Sequence, residues 1–248
     1  MCFRNSLTAT VEEMEKQFEV QKQAKTVEFE PIYHANGFDY PTWPVITAQA
    51  PHALQFFKWG LVPRWARSPQ EALELRSSTL NAKIETLDEK PSFKYALQQA
   101  QRCLIPSTGF FEWQTVGKQK YPYFIHLREQ PLFAMAGIWE TWHNPAQAND
   151  VWHTFSIITT DANPLMARIH NTKQRMPVII PKGLEAVWLN TQSDAFDLEL
   201  FKKPIDDASM EAFTIGKSIS DPKSQSNVPE VLTRVTYPEL SHQQLSLF

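Results

Sequence analysis

Glycine is scarce, with seven residues in a chain of 248, roughly 3% against the usual share near 7%. Collagen-like repeats, Gly/Ser linkers and glycine-rich phosphate loops fit such a chain poorly, and neither G-x-G-x-x-G nor G-x-x-x-x-G-K-[ST] occurs. Cysteine is scarcer still. Cys2 and Cys103 are too few for the disulfide framework of a small secreted scaffold, and without a C-x-x-C there is no thiolate pair for zinc. The seven histidines are scattered and no H-E-x-x-H occurs, so neither a metal nor another cofactor is expected. No basic segment leading into an apolar stretch opens the chain, and no apolar run is long enough to span a bilayer. The expected setting is reducing and cytoplasmic, with no membrane. An excess of positive charge is lacking too: 27 acidic against 24 basic side chains give a net charge of −3, which argues against the basic surface typical of a DNA-binding domain.

Proline and aromatic residues are plentiful by contrast. Pro31, Pro41, Trp43, Pro44, Pro51 and Pro63 break any long helix between residues 27 and 66 and predict short strands and ordered loops there. Thr10-Val11-Glu12-Glu13 has the pattern of a capping box, and Val11, Met14 and Phe18 follow at helical spacing, which predicts an early helix. Further helices are expected from Ser92 to Gln101 and over part of Leu184 to Asn190. Runs rich in aromatic and β-branched residues predict strands at Cys103 to Pro106, Tyr121 to Leu127, Phe133 to Trp139, His153 to Thr160 and Pro177 to Ile180. Several follow one another with no helical pattern between them, which predicts antiparallel pairing. The expected fold is α+β: one domain over residues 1–235, with a bent or barrel-like antiparallel β core flanked by short helices, then a flexible tail over 236–248. From Ser218 onward the composition already shifts to Ser, Gln, Pro and Asn, as in a loosely attached surface segment.

Three neighbourhoods carry chemistry. Met1 precedes a small residue, so its removal by a methionine aminopeptidase would leave Cys2 with a free α-amine beside its thiol. With reference pKa values of about 7.7–8.0 and about 8.5, both groups keep a usable nucleophilic fraction at neutral pH. Such a 1,2-aminothiol condenses with an aldehyde to an imine and then closes to a thiazolidine. In Gly109-Phe110-Phe111-Glu112-Trp113 one carboxyl sits among bulky apolar neighbours, where a raised pKa would let it exchange protons near neutrality; outward alternation of Glu112 to water is the competing reading. His170 lies in a basic stretch, Arg168 to Arg175, at the mouth of the apolar Val178-Ile179-Ile180, placed for general acid or base work or for a purely structural role. Cys103, between Arg102 and Leu104-Ile105, reads as a core cysteine.

Met1-Cys2-Phe3-Arg4, Trp59-Gly60-Leu61-Val62-Pro63-Arg64-Trp65-Ala66, Leu80-Asn81-Ala82-Lys83-Ile84-Glu85-Thr86, Arg102 to Pro106 running into Gly109 to Trp113, and Ile169-His170 through Met176-Pro177-Val178-Ile179 occur in this order. In these motifs the chain resembles the SOS response-associated peptidase (SRAP) family, whose members cross-link covalently to abasic sites in single-stranded DNA. The resemblance implies that Cys2 is the nucleophile and that Asn81 orients the terminal residue and the captured sugar. It implies further that Glu112 positions and deprotonates the α-amine, and that His170 donates a proton that opens the deoxyribose ring. Phe3 stands where the family usually has glycine, and Lys83 where arginine is common.

The resemblance also sharpens the reading of charge. Residues 56–70 carry Lys58, Arg64 and Arg67 without an acid, interleaved with Phe56, Phe57, Trp59 and Trp65, and residues 166–183 carry Arg168, Lys173, Arg175 and Lys182 without one. Cations tracking phosphates beside aromatic faces suit an unpaired strand. Arg4, Arg64, Trp65, Arg67, Lys83, Thr159 and Arg175 are the expected DNA contacts, with Trp65 the preferred stacking residue, while Trp59, Phe56 and Phe57 are expected in the core. The implied location is cytoplasmic, nucleoid-associated in a bacterium. Gln244-Leu245-Ser246-Leu247-Phe248 resembles the short peptide that docks repair proteins on a polymerase sliding clamp, with Gln244, Leu245, Leu247 and Phe248 as anchors. The leading expectation is an abasic-site cross-linking enzyme with associated autopeptidase activity. The alternatives are a cysteine peptidase or N-terminal-nucleophile amidohydrolase using Cys2 and His170, and a non-covalent single-strand binding module.

Overall fold

The structure is a computed structural model that describes residues 2–22, 29–192, 196–221 and 224–240. In chain order the elements are β1 (Arg4–Leu7), α1 (Val11–Phe18), β2 (Gln21–Lys22), β3 (Ile32–Asn36), β4 (Thr42–Thr47), β5 (Ala50–Trp59), α2 (Pro69–Arg76), β6 (Asn81–Lys83) and α3 (Pro91–Gln98). They continue with β7 (Arg102–Ser107), β8 (Gly109–Val116), β9 (Gln119–Leu127), β10 (Phe133–His143), β11 (Val151–Asp161), α4 (Pro164–Ile169), β12 (Arg175–Pro177), α5 (Glu185–Trp188) and β13 (Met210–Thr214).

Two sheets share the core. One has the strand order β13-β9-β8-β1-β3, and the other runs β12-β11-β10-β7-β4-β5-β2, with β6 attached to β11. The long hairpins β8–β9 and β10–β11 are antiparallel, as the uninterrupted strand pattern predicts, so the fold is α+β with short helices around an antiparallel core. Parallel pairs join it where connections cross over: β2 with β5, β5 with β11, and β6 with β11. These strands or contacts span two or three residues, too few to leave a hydrophobic period in the sequence.

Local chemistry explains the elements. The Thr10 hydroxyl accepts from the Glu13 N–H at 3.2 Å, and the Glu13 carboxylate accepts from the Thr10 N–H at 2.7 Å, a complete capping box worth about 1 kcal/mol. The Ser68 and Asn163 side chains cap α2 and α4 by accepting from the N–H groups of Glu71 and Met166, and each is followed by proline in the first turn. Trp43, Trp59, Trp142 and Trp188 are fully buried, and every indole N–H donates to a backbone carbonyl, of Pro106, Leu80, Ala66 and Cys103 respectively. The core therefore gains four large apolar surfaces without orphaning a donor. Cys103, Trp59 and Phe57 are buried, as expected, whereas Phe56 is only partly buried against the core. At Gly109, the first residue of β8, a Cβ would lie 2.3 Å from the Phe124 ring and 2.8 Å from the Ile125 carbonyl; only glycine allows β9 to approach that closely.

The C-terminal composition misleads. Ile219, Val231 and Leu240 are buried, the Val235 N–H donates to the Thr214 carbonyl at 2.8 Å, and the Tyr237 hydroxyl donates to the Ile215 carbonyl at 2.7 Å. The segment expected to be loose from Ser218 is a strap packed across the first sheet, and the packed domain runs past residue 235 to at least Leu240. Residues 244–248, with the sliding-clamp anchors Gln244, Leu245, Leu247 and Phe248, lie outside the described residues. No helix among the described residues is long and apolar enough to cross a membrane.

Candidate active site

Cys2 lies two residues before the start of β1, which runs between β8 and β3. Asn5 pairs with Phe110 and Ser6 with Gly109; continued toward the terminus, this antiparallel register carries residues 2–4 alongside residues 111–113. Cys2 is fully buried, and its thiol points at the Arg4 carbonyl, 3.7 Å away. Burial, reinforced by the Glu112 charge, pushes the thiol pKa well above its ordinary value, so the group rests as the neutral thiol.

Glu112 sits on β8 with only 5% of its surface exposed, so the outward-facing alternative is excluded. Burial pushes its carboxyl up to about 8. His170 caps the C-terminus of α4, which packs against β8. Its Nδ1 lies 2.8 Å from the Arg175 carbonyl and 3.7 Å from the Glu112 carboxylate. A carbonyl can only accept, so Nδ1 carries the hydrogen and Nε2 the lone pair. Burial lowers the ring to about 4. At pH 7 the resting pair is thus a protonated carboxyl beside a neutral imidazole.

Asn81 arrives on β6, held by parallel pairing to Ile157. Its neighbour Leu80 accepts a hydrogen bond from the Trp59 indole at 2.8 Å. Trp59 in turn packs against Gly37, whose N–H donates to the Phe3 carbonyl at 2.7 Å. This chain of contacts ties β6 to the segment beside Cys2. The Asn81 amide is 7% exposed, and neither its oxygen nor its nitrogen has a partner among the described residues. An amide of this kind costs about 1–3 kcal/mol unless a water or a ligand satisfies it.

Apart from Arg4, which is half-buried beside His34, the expected DNA contacts divide into two sets. Arg64, Trp65, Arg67 and Lys83 are exposed. Trp65 donates its indole N–H to the Pro91 carbonyl at 3.2 Å, and the Arg64 guanidinium lies 4.0 Å above the Tyr95 ring. Tyr95, on α3, extends this cationic and aromatic face; its surroundings in sequence give no sign that it lies beside Arg64. Arg175 and Thr159 require correction. Arg175 grips both Glu85 oxygens at 2.8 Å, Asp161 at 2.7 Å and the Thr159 carbonyl at 2.7 Å, while Thr159 is completely buried. Neither presents a group to a phosphate here. Arg175 instead clamps the Glu85 turn after β6 to the strand after His170, and so brings the Asn81 and His170 segments together. Arg175→Ala is expected to destabilise the domain by about 2 kcal/mol, the scale of a lost hydrogen bond to a charged group where the remaining carboxylates can reach water, measured by urea unfolding, with the loss shared by Glu85→Ala in a double-mutant cycle.

The site thus brings a buried carboxyl and a histidine together on the strand beside Cys2 in an α+β domain. Residues 1–222 match the family described as SOS response associated peptidase (SRAP). The chain is 34% identical over 234 residues to the abasic site processing protein YoqW of Bacillus subtilis, a match that covers 94% of this chain and 99% of the relative. It is 31% identical over 156 residues to the abasic site processing protein HMCES of Xenopus tropicalis, covering 55% of this chain and 45% of that protein. An X-ray structure of a Bacteroides thetaiotaomicron protein superposes with a TM-score of 0.87 at 37% identity, over 95% of this chain and all of the other. The chain belongs to the SRAP family.

Proposed function

We propose that this protein processes abasic sites in single-stranded DNA by cross-linking to them through Cys2 once Met1 has been removed. The observation that carries this reading is the convergence of His170 and Glu112, 3.7 Å apart, on the strand beside Cys2, in a chain whose relatives are named for abasic site processing.

The chemistry follows from the resting protonation states. An abasic sugar is mostly a closed hemiacetal. Opening it requires a proton at the ring oxygen and loss of one from the C1′ hydroxyl, with no net change. The resemblance makes His170 the donor; burial makes its resting ring an acceptor, so the Glu112 carboxyl supplies the proton and the imidazole receives one. A carboxyl titrating near 8 is also matched to an α-amine at about 7.7–8.0, so the proton passes between them at little cost and leaves a neutral amine. That amine adds to the aldehyde and water leaves, giving an imine. The thiol then adds across the C=N bond: sulfur bonds to C1′, the thiol proton ends on nitrogen, and a thiazolidine closes. A thiol held protonated by burial suits this second role. It is the opposite of the depressed pKa that a cysteine peptidase requires, which weighs against the peptidase reading. The Asn81 amide is the group on hand to hydrogen-bond the opened sugar.

The test uses Met1-free protein, verified by mass, with single-stranded DNA containing one abasic site. A denaturation-resistant adduct of one protein per strand is expected, absent with undamaged DNA and absent when Met1 is retained. An adduct formed equally well by the Met1-retaining protein would overturn the reading.

A further inference from the structure

We infer that His34, held by the C-terminal strap, is a positioning residue that presents Arg4 to a DNA phosphate beside the nucleophile; the inference rests on the proposed single-stranded DNA substrate. His34 lies on β3, is 6% exposed, and joins two parts of the chain far apart in sequence. The Arg4 Nη1 donates to His34 Nε2 at 3.0 Å, which requires Nε2 to carry the lone pair. The hydrogen therefore sits on Nδ1, which donates to the Ser226 hydroxyl at 2.7 Å. Burial, with the Arg4 charge adding to it, lowers the ring to about 4 and keeps it in this neutral form.

The strap fixes the rest of the arrangement. Asn227 accepts from the backbone N–H groups of Tyr33 and His34 at 2.8 and 3.3 Å, capping the exposed edge of β3 and setting the height of the imidazole. The Ile219 carbonyl accepts a second bond from the same Arg4 Nη1 at 2.9 Å. Ser220 accepts from the indole N–H of Trp113 at 3.1 Å, and the Trp113 ring lies 5.2 Å from the Arg4 guanidinium carbon.

One guanidinium nitrogen thus takes both anchoring bonds. Among the described residues Nη2 and Nε have no hydrogen-bond partner, and Arg4 borders an open cleft of about 550 Å3 shared with His34, Asn36, Asp39 and Ser220. An arginine anchored through one nitrogen and open through the others is pre-organised to grip an anionic oxygen without first losing side-chain freedom. Arg4 is two residues from Cys2 and accepts its thiol, so a phosphate held there belongs to a nucleotide next to the captured sugar.

The test measures equilibrium binding of Met1-free protein to single-stranded DNA carrying one tetrahydrofuran abasic analogue, which has no aldehyde and forms neither imine nor thiazolidine, so affinity is read separately from cross-linking. His34→Phe keeps the ring volume but offers Arg4 no acceptor, and is expected to weaken binding about tenfold, the scale of one charge-assisted hydrogen bond. His34→Gln restores an acceptor for Arg4 and a donor for Ser226 and is expected to stay within about threefold of its parent. In an Arg4→Met background His34→Phe is expected to add nothing further. Equal affinity for His34→Phe and its parent, or a full tenfold loss in the Arg4→Met background, would overturn the inference. If His34→Phe fails to fold, Ser226→Ala removes only the outer bond and decides the matter, through a loss of affinity that vanishes in the Arg4→Met background. Because binding is read without cross-linking, failure of wild-type protein to form an adduct leaves this result interpretable.

Discussion

Met1-free Cys2→Ala protein is expected to lose the heat-stable adduct with abasic single-stranded DNA by at least about a hundredfold, yet to be captured on the same DNA when borohydride is present. The distinction separates the two nucleophiles on residue 2. Alanine keeps the α-amine, so the imine still forms, but it hydrolyses on denaturation unless hydride reduces its C=N bond to a stable amine. Cys2→Ser supplies a poorer nucleophile in the same place and is expected to resemble Cys2→Ala. Effective molarities of about 10⁵–10⁸ M are available to well-oriented groups, and Glu112 and His170 remain in both variants, so imine formation should persist. Quantitative gel analysis with and without borohydride gives both yields. A heat-stable adduct from Cys2→Ala without reductant would place the covalent bond on another residue. Loss of the borohydride-trapped species as well, in folded protein that still binds the DNA, would mean that the amine is not the first nucleophile.

Much of this machinery was legible in the sequence because it is written locally. The capping box at Thr10 and the strands around 103–106, 121–127, 133–139 and 153–160 depend on residues close in the chain and are read correctly from it; the strand expected at 177–180 instead covers Arg175–Pro177, and local sequence leaves the burial of Glu112 open. Arg175 shows where such reasoning stops. Its window holds four cations and no acid, which looks like a surface for phosphates, but Glu85 and Asp161 reach it from other parts of the fold and neutralise it. Charge counted along the chain is a poor guide to charge counted in space. The strap shows the reverse error. Its Ser and Asn residues lower the apolar content enough to suggest a loose segment, yet Ser220, Ser226 and Asn227 each satisfy a donor on the first sheet, and a few apolar anchors such as Ile219 and Val231 suffice to seat it. His34 gave no signal at all, because its importance lies entirely in partners that the fold brings from positions 4 and 226.

Glu112→Gln is expected to separate stability from chemistry. The native carboxyl titrates near 8 because burial disfavours its charge, whereas in the unfolded chain it ionises near 4.3. Between these values the folded protein holds a proton that the unfolded chain has released, so native stability falls as pH rises from about 4.5 to 8, and the loss is complete above that. Glutamine has nearly the same shape and cannot ionise. The variant should therefore match wild type in thermal midpoint near pH 5 and exceed it by a margin that widens up to about pH 8. Adduct formation should move the other way, falling about a hundredfold, the usual scale for losing one proton-transfer group. The wild-type rate should also decline as pH climbs through 8 and the carboxyl loses the proton it gives to the sugar, a limb that the glutamine variant lacks. Thermal melts across pH 5–9 and single-turnover adduct rates over the same range test both halves. A variant no more stable than wild type at pH 8 would show that the native carboxylate is already ionised and solvated in the fold. An unchanged adduct rate would remove Glu112 from the proton path and leave His170 as the group that serves the sugar.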